Sequence, residues 1–212
     1  MAHYRLFGRR GSGSLAPEMV LTALGQAYEM VPTSAEAARL DPYRQLCPTR
    51  IVPAMTLPSG ETIFESAAIC IHLTLAHPQE ARGLVPATGT PQHAVFLQWM
   101  AYLATAVYGA YRRCYHTEDH THGGEVEYAL IRARAKEDLL EAYALLERAL
   151  QTSGGPGLQG TLGVVDFYLF MLTTWYPGGM AQLYDEHPGL AGLAAAVRAR
   201  PDFAALLAVE FA

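Results

Sequence analysis

The sequence predicts a small α/β domain built on one mixed sheet, followed by an all-helical domain. Three observations lead there. The first 80 or so residues mix short strand-like and helix-like stretches, and everything after Pro91 reads helical. Between them, Pro86-Ala-Thr-Gly-Thr-Pro91 is bracketed by prolines and holds no large apolar side chain, as a linker would. The expected boundaries are residues 1–85, 86–91 and 92–212. The 212 residues are 51% apolar and 17% charged, which excludes disorder and leaves core enough to fold without a disulfide or metal.

In the first domain Tyr4 to Phe7 is a strand, and Leu15 to Leu24 is a helix closed by Gly25, the residue that tolerates the turn past a helix end. Tyr28 to Val31 is a second strand. Ala54 to Leu57 and Thr62 to Phe64 flank Pro58-Ser59-Gly60-Glu61, whose proline fixes one backbone angle and whose glycine accepts a positive one, so they form a hairpin. Ser66 to His77 is a helix stopped by Pro78. In the second domain Gln92 to Arg113 is a helix. Glu125 to Gln151 is another, with Leu139, Leu140, Tyr143, Leu146 and Leu150 as its apolar stripe. Val164 to Trp175 is nearly all apolar. Its one charge, Asp166, falls in the first turn, where a carboxylate satisfies free backbone N–H groups and the dipole. Leu190 to Arg200 and Phe203 to Phe211 complete the set.

Charge and cysteine usage narrow the function. A net charge of -5, with no basic cluster denser than Arg9-Arg10 or Arg112-Arg113, excludes a nucleic-acid partner. Cys47, Cys70 and Cys114 are odd in number, far apart and free of any C-x-x-C pair, and the start MAHYRLFGRRG lacks a signal peptide's apolar core, so a cytoplasmic location is expected. Ala94 to Tyr111 carries no charge over 18 residues, the lower limit of a membrane span. Gln98, Thr105 and Gly109 interrupt it and no second such segment follows, so it reads as a helix buried between neighbours, with no membrane partner.

Three clusters carry polar chemistry. Gly11-Ser12-Gly13-Ser14-Leu15-Ala16-Pro17 lies between the first strand and first helix, and Pro17 suits a first helical turn. Either serine can sit at the helix start as a plain cap, or join backbone N–H groups in favouring an anion. The absence of a G-K-[ST] ending excludes a P-loop. In Ile51-Val52-Pro53-Ala54 a proline opens a paired strand, which is tolerated at an edge, a strand start or as a cis bond. A cis bond would free the Val52 backbone to pair with an extended ligand. Glu65-Ser66 sets a carboxylate and a hydroxyl at another helix start, again as cap or grip.

Together these segments resemble the cytosolic glutathione transferase superfamily over essentially the whole chain. YRLFGRRGSGSLAPEMVLTALG is similar to the strand, catalytic loop and first helix of the bacterial beta and theta-like classes. IVPAMTLPSGETIFESAAICIHL resembles the cis-proline hairpin and the glutamate-serine pair that grips the γ-glutamyl end of glutathione. GTLGVVDFYLFML resembles the family's buried helix with its capping aspartate, and RARP near the end also fits. The resemblance implies a thioredoxin-like first domain, glutathione as co-substrate and no metal. It also implies a serine hydroxyl aimed at the thiol, with Ser14 the first candidate and Ser12 the second. Val52 and Pro53 would meet the cysteinyl backbone, and Glu65 and Ser66 the γ-glutamate. The chain departs from the family at Gly13, where the beta class has cysteine, at Arg50, a common glycine, and at Gly163, usually a Ser or Thr cap. The loop also lacks the tyrosine of the tyrosine-dependent classes and the cysteine and arginine of the zeta-class isomerases.

The resemblance further implies a pocket for a small hydrophobic electrophile at Tyr108, Tyr111, Arg112 and Tyr115; by spacing alone the same tyrosine stripe is core or interface. His116, His120 and His122 crowd one loop with Glu118 and Asp119, unlike the two separated ligand pairs of a structural zinc site, so a solvated loop or an arm over the active site is expected. The expected activity is conjugation of glutathione to such an electrophile by a detoxifying homodimer. The alternatives are a glutathione-dependent reductase or peroxidase and a non-catalytic binding module.

Overall fold

The structure, a computed structural model, describes residues 3–212. The chain divides into two compact units, one of the described residues up to Val85 together with Val197–Ala212, the other of Pro86–Ala196. The first unit contains β1 (Tyr4–Gly8), α1 (Leu15–Ala23), β2 (Tyr28–Pro32), α2 (Tyr43–Leu46), β3 (Ala54–Thr56), β4 (Thr62–Phe64) and α3 (Ser66–Ala76), with a short 3₁₀ turn at Ala37–Arg39. The strands lie in the order β2-β1-β3-β4. β1 is parallel to β2 and antiparallel to β3, which is antiparallel to β4. A parallel pair needs a crossover, and α1 supplies it. This is the thioredoxin-like arrangement the family resemblance implied.

The register decides what the sheet can do. Phe7 stands opposite Ala54, and Ala54 opposite Phe64, so the end of β1, the start of β3 and the end of β4 form one row. The loops that follow or precede those residues carry the serines, Val52-Pro53 and Glu65-Ser66. Three clusters separated in sequence therefore emerge at one end of the sheet. Behind that row Phe7, Ala38, Tyr43, Cys47, Val52 and Ala54 form a small buried core. Tyr43 belongs to α2, in a stretch that sequence patterning leaves irregular because one four-residue helix has no periodicity to detect.

The second unit starts with α4 (Pro91–Tyr102), which runs through a π-helical turn at Leu103–Val107 into α5 (Tyr108–Tyr115). Thr90 caps it, its hydroxyl accepting from the His93 N–H at 3.2 Å, with Pro91 as the first helical residue. In the π-helical turn the Thr105 hydroxyl donates to the Ala101 carbonyl at 2.8 Å, a back-bond that competes with the backbone ladder. No helix among the described residues is long and apolar enough to cross a membrane. α6 (Glu125–Thr152) buries Leu139, Tyr143, Leu146 and Leu150, but Leu140 is 49% exposed and lies off the stripe, correcting its assignment. Positions 139, 143, 146 and 150 keep to one helical face; position 140 is turned away by about 100°.

α7 (Val164–Thr173) is buried along its whole length, so its first turn must find acceptors inside the protein. Asp166 supplies them, accepting the N–H groups of Leu158 and Gly163 at 2.8 Å each. Burial pushes its carboxyl up to about 7, against the pull of those backbone bonds. α8 (Gly179–Glu186) opens on the second of two adjacent glycines and is not among the expected helices. α9 (Pro188–Arg198) has a buried cap of its own: Glu147 of α6 accepts from the Gly189 and Leu190 N–H groups at 2.8 and 3.0 Å. The last helix, α10 (Ala204–Glu210), clusters with the first unit, although the expected second domain ran to residue 212.

Candidate functional site

Beyond Gly8 the chain turns through Arg9–Ser14 before α1 begins. Ser12 and Ser14 are 7% and 2% exposed. The Ser12 hydroxyl donates to the Arg9 carbonyl at 2.6 Å. The Ser14 hydroxyl lies 2.9 Å from Ser12 Oγ and 3.1 Å from the same carbonyl. Ser14 stands at the cap position of α1, yet its side chain makes no cap bond, so the plain N-cap reading does not describe it. Two hydroxyl protons face one carbonyl and one another. Ser12 holds the short bond; the Ser14 proton has two longer alternatives and is the easier one to redirect. Gly8 makes this approach possible, since a Cβ there would lie 2.4 Å from both Ser14 Cβ and Oγ.

Across the row, the Val52–Pro53 peptide is cis. The β1–β3 ladder starts at Ala54, so the backbone of Val52 lies past its end. The preceding residues are held by Tyr43, whose hydroxyl donates to the Ile51 carbonyl at 2.6 Å, and by the Cys47 thiol, 3.1 Å from Thr49 Oγ1. Burial pushes the Tyr43 phenol well above its ordinary range, so it stays a neutral donor. Sequence reading missed Tyr43, and only its aromatic character in a polar stretch marked it.

Glu65 has φ 70 and ψ 108, a left-handed conformation that costs a non-glycine residue about 1–3 kcal/mol and persists only where its surroundings enforce it. Its carbonyl accepts from the Ile69 N–H at 2.9 Å, opening α3. Its carboxylate is exposed and has no ion-pair partner among the described residues, while Ser66 is buried beside it. The strain thus presents a carboxylate to solvent at a helix start, next to a buried hydroxyl.

The tyrosines of the second unit form an aromatic cluster. Tyr111 is buried and shares a 2.7 Å hydrogen bond with the Tyr143 hydroxyl. Burial drives both phenols far up. Tyr115 is 52% exposed, stacks on Tyr111, and donates to the Trp175 carbonyl at 2.6 Å. Tyr108 meets Trp175 edge to face. Arg112 pairs with Asp119. Tyr111 is thus committed to core packing, and Tyr108, Arg112 and Tyr115 are the members that reach the surface of α5. The spacing reading of this stripe as core therefore fits Tyr111 alone. His116 lies 3.8 Å from Glu118, and no group of three His, Cys, Asp or Glu placed to hold a metal forms among the described residues.

Residues 2–74 match the family model of the glutathione S-transferase N-terminal domain. Over the whole chain the fold is similar to several solved structures. The bacterial beta-class glutathione S-transferase of Sphingomonas chungbukensis is 27% identical, with a TM-score of 0.79 over 97% of this chain and 98% of that one. A sphingomonad glutathione S-transferase complexed with glutathione is 26% identical, with a TM-score of 0.80 over 97% and 98%. A glutathione transferase homolog from Sulfitobacter with bound glutathione is 20% identical, with a TM-score of 0.85 over 99% of both chains. A search of curated protein sequences returns no match. The first domain is a glutathione S-transferase N-terminal domain, and the chain as a whole has the glutathione transferase fold.

Proposed function

We propose that this protein is a glutathione transferase that activates the thiol of glutathione with the Ser14 hydroxyl and adds the thiolate to a small hydrophobic electrophile. The observation that carries the proposal is the register of the sheet, which brings the serine loop, Val52-Pro53 and Glu65-Ser66 to one end. Two of the similar structures hold glutathione, which is the tripeptide those three clusters suit. The exposed Glu65 carboxylate pairs with the α-amino group of the γ-glutamyl residue. Ser66 and the N–H groups at the start of α3 take its carboxylate. The free backbone of Val52 pairs with the cysteinyl residue as an added strand would, directing the sulfur toward the serine loop.

An ordinary thiol has a pKa of about 8.5 and is mostly protonated at neutral pH, while only its thiolate attacks electrophiles well. A hydrogen bond to a charged group contributes about 1.5–3 kcal/mol, or roughly one to two pKa units. The thiolate outcompetes the Arg9 carbonyl for the shared Ser14 proton because it carries a full charge. Ser12 keeps its own bond to Arg9 and holds the loop in place. The thiol proton passes to solvent as the thiolate forms; the sulfur then bonds the electrophilic carbon, whose bond to its leaving group breaks with the electron pair, as halide from an activated aryl halide. On the acceptor side we assign Tyr108, Arg112 and Tyr115 as pocket residues on α5, with buried Tyr111 stacked on Tyr115.

Conjugation is preferred over a disulfide- or peroxide-reducing reaction because Cys47, Cys70 and Cys114 are all buried and none lies in the serine loop, where Gly13 stands. Burial also raises the thiols of Cys70 and Cys114, away from thiolate character. We place the enzyme in the cytoplasm as a detoxifying homodimer; exposed Val95 and Leu97 on α4 offer apolar surface for the second subunit. The test is turnover of glutathione with an activated aryl halide, alongside calorimetric binding. Loss of turnover in Ser14→Ala with glutathione still bound is the expected result. Full turnover in both Ser14→Ala and Ser12→Ala sinks the serine assignment, and loss confined to Glu65→Gln points to binding without hydroxyl-assisted chemistry.

A further inference from the structure

The serine loop is held from outside as well as from within. Gly11, at φ 64, donates its backbone N–H to Glu210 Oε1 at 2.8 Å, a contact between residues 199 apart in the chain. Glu210 is the last residue of α10, a helix held at Leu207 and at the residues that flank it. Phe203, fully buried, anchors the turn that precedes it, and this turn packs against α1. Leu207 is buried one turn on. Just past Glu210 the ring of Phe211 lies under the Arg198 guanidinium, 4.5 Å from its centroid. The carboxylate is therefore fixed by a framework that the loop itself does not contribute to.

Glu210 also lines a cavity of about 540 Å³, with Arg9 and Arg10 of the loop, Glu18 of α1, Tyr28 of β2 and Val209 of α10 in its wall. Glu18 accepts from the Tyr28 hydroxyl at 3.0 Å and leaves the Gly11 N–H to Glu210. Burial raises the carboxyls of both Glu18 and Glu210, and the Glu210 charge adds to the effect on Glu18. The Gly11 N–H and the charge of Arg10 pull Glu210 back toward its ionised form. Gly11 is the outer corner of the turn whose inner side is the Arg9 carbonyl, the acceptor both serines use. Fixing the corner fixes the carbonyl, and with it the direction of the Ser14 hydroxyl.

We infer that Glu210 is a positioning residue for the reaction: through the Gly11 N–H, the C-terminal helix sets the geometry of the Ser14 donor. The inference rests on the transferase reading for its catalytic half and on the Gly11–Glu210 bond for its structural half, so the experiment reads the two separately. Amide hydrogen exchange on the full-length protein, without glutathione, reads the bond. Glu210→Ala speeds exchange at Gly11 by about tenfold or more, as loss of a bond to a charged acceptor should, and Glu210→Gln, which keeps a carbonyl oxygen at that place, restores most of the protection. Turnover of glutathione with an activated aryl halide reads the donor. Glu210→Ala lowers kcat, leaves KM for glutathione within about twofold and moves the acid limb of the pH profile toward alkaline pH, and Glu210→Gln reverses both changes. Unchanged exchange at Gly11 in Glu210→Ala overturns the inference, and so does faster exchange with an unmoved pH profile. If the wild type turns over no glutathione, the transferase reading fails by itself and faster exchange at Gly11 still upholds the tether.

Discussion

Helices α1 and α7 both need acceptors for the N–H groups of their first turns, and they are served by opposite chemistry. At α7 a buried carboxylate, Asp166, takes two backbone N–H groups at 2.8 Å each. At α1 neither serine hydroxyl caps the first helical turn: Ser12 and Ser14 bond one another and the Arg9 carbonyl, and Ser12 Oγ takes the N–H of the cap residue Ser14 at 3.3 Å. A carboxyl group with two buried donors cannot be redirected without orphaning them, which costs about 1–3 kcal/mol for each. A hydroxyl shared between two neutral acceptors can be redirected at little cost. The first arrangement holds a helix in place; the second leaves a proton that can be redirected, which is the property the proposed thiol activation requires.

The sharpest way to break this contrast is Asp166→Ala, which leaves the Leu158 and Gly163 N–H groups without an acceptor. Urea denaturation should show a loss of about 2–5 kcal/mol, and a loss below about 1 kcal/mol would erase the difference between the two helix starts. The same carboxyl makes stability depend on pH. Its folded-state pKa, about 7, lies above its unfolded value of 3.8, so the folded state binds the extra proton between the two. Stability from this group is full below the unfolded value and is lost as pH rises through about 7. The advantage of the wild type over Asp166→Asn should therefore shrink between pH 4.5 and 7.5, by on the order of 2 kcal/mol. Equal melting differences at both pH values would contradict it.

Ser14→Ala should do the reverse of Asp166→Ala. Its effect on stability stays within about 1 kcal/mol, while turnover of glutathione falls roughly 10- to 100-fold, the loss of one charge-assisted hydrogen bond. Gly8→Ala sharpens the comparison at smaller scale. The added methyl would stand 2.4 Å from Ser14 Oγ, so the serine must move. Overpacking there should cost about 1–2 kcal/mol in a thermal melt and lower turnover in step, whereas unchanged turnover would mean that the position of Ser14 is immaterial.

Most of the first domain was legible in the sequence because its signals are local. The strand and helix limits of Tyr4–Gly8, Leu15–Ala23, Thr62–Phe64 and Ser66–Ala76 lie within a residue or so of the expected ones, helped by the closing Gly25, the turn at Pro58-Ser59-Gly60-Glu61 and the stop at Pro78. Asp166 was legible as a cap because its donor Gly163 is three residues away. Glu147 was not, although it does the same work for α9, because its partners Gly189 and Leu190 lie 42 and 43 residues on. Glu210 escaped for the same reason at far greater distance. Tyr111 and Tyr115 share a spacing pattern, yet one is core and the other half exposed; spacing names a face and says nothing of what packs against it. The serines were found by position, but their mutual bonding is a matter of three-dimensional proton accounting that no pattern records.

If the Ser14 hydroxyl turns its proton to a bound thiolate, an ultraviolet difference titration of glutathione on the protein reads that thiolate directly. The bound thiol should ionise about one pKa unit or more below free glutathione, and Ser14→Ala should return it to the free value. A bound thiol that ionises like free glutathione, or a lowered pKa that survives Ser14→Ala, would contradict the account.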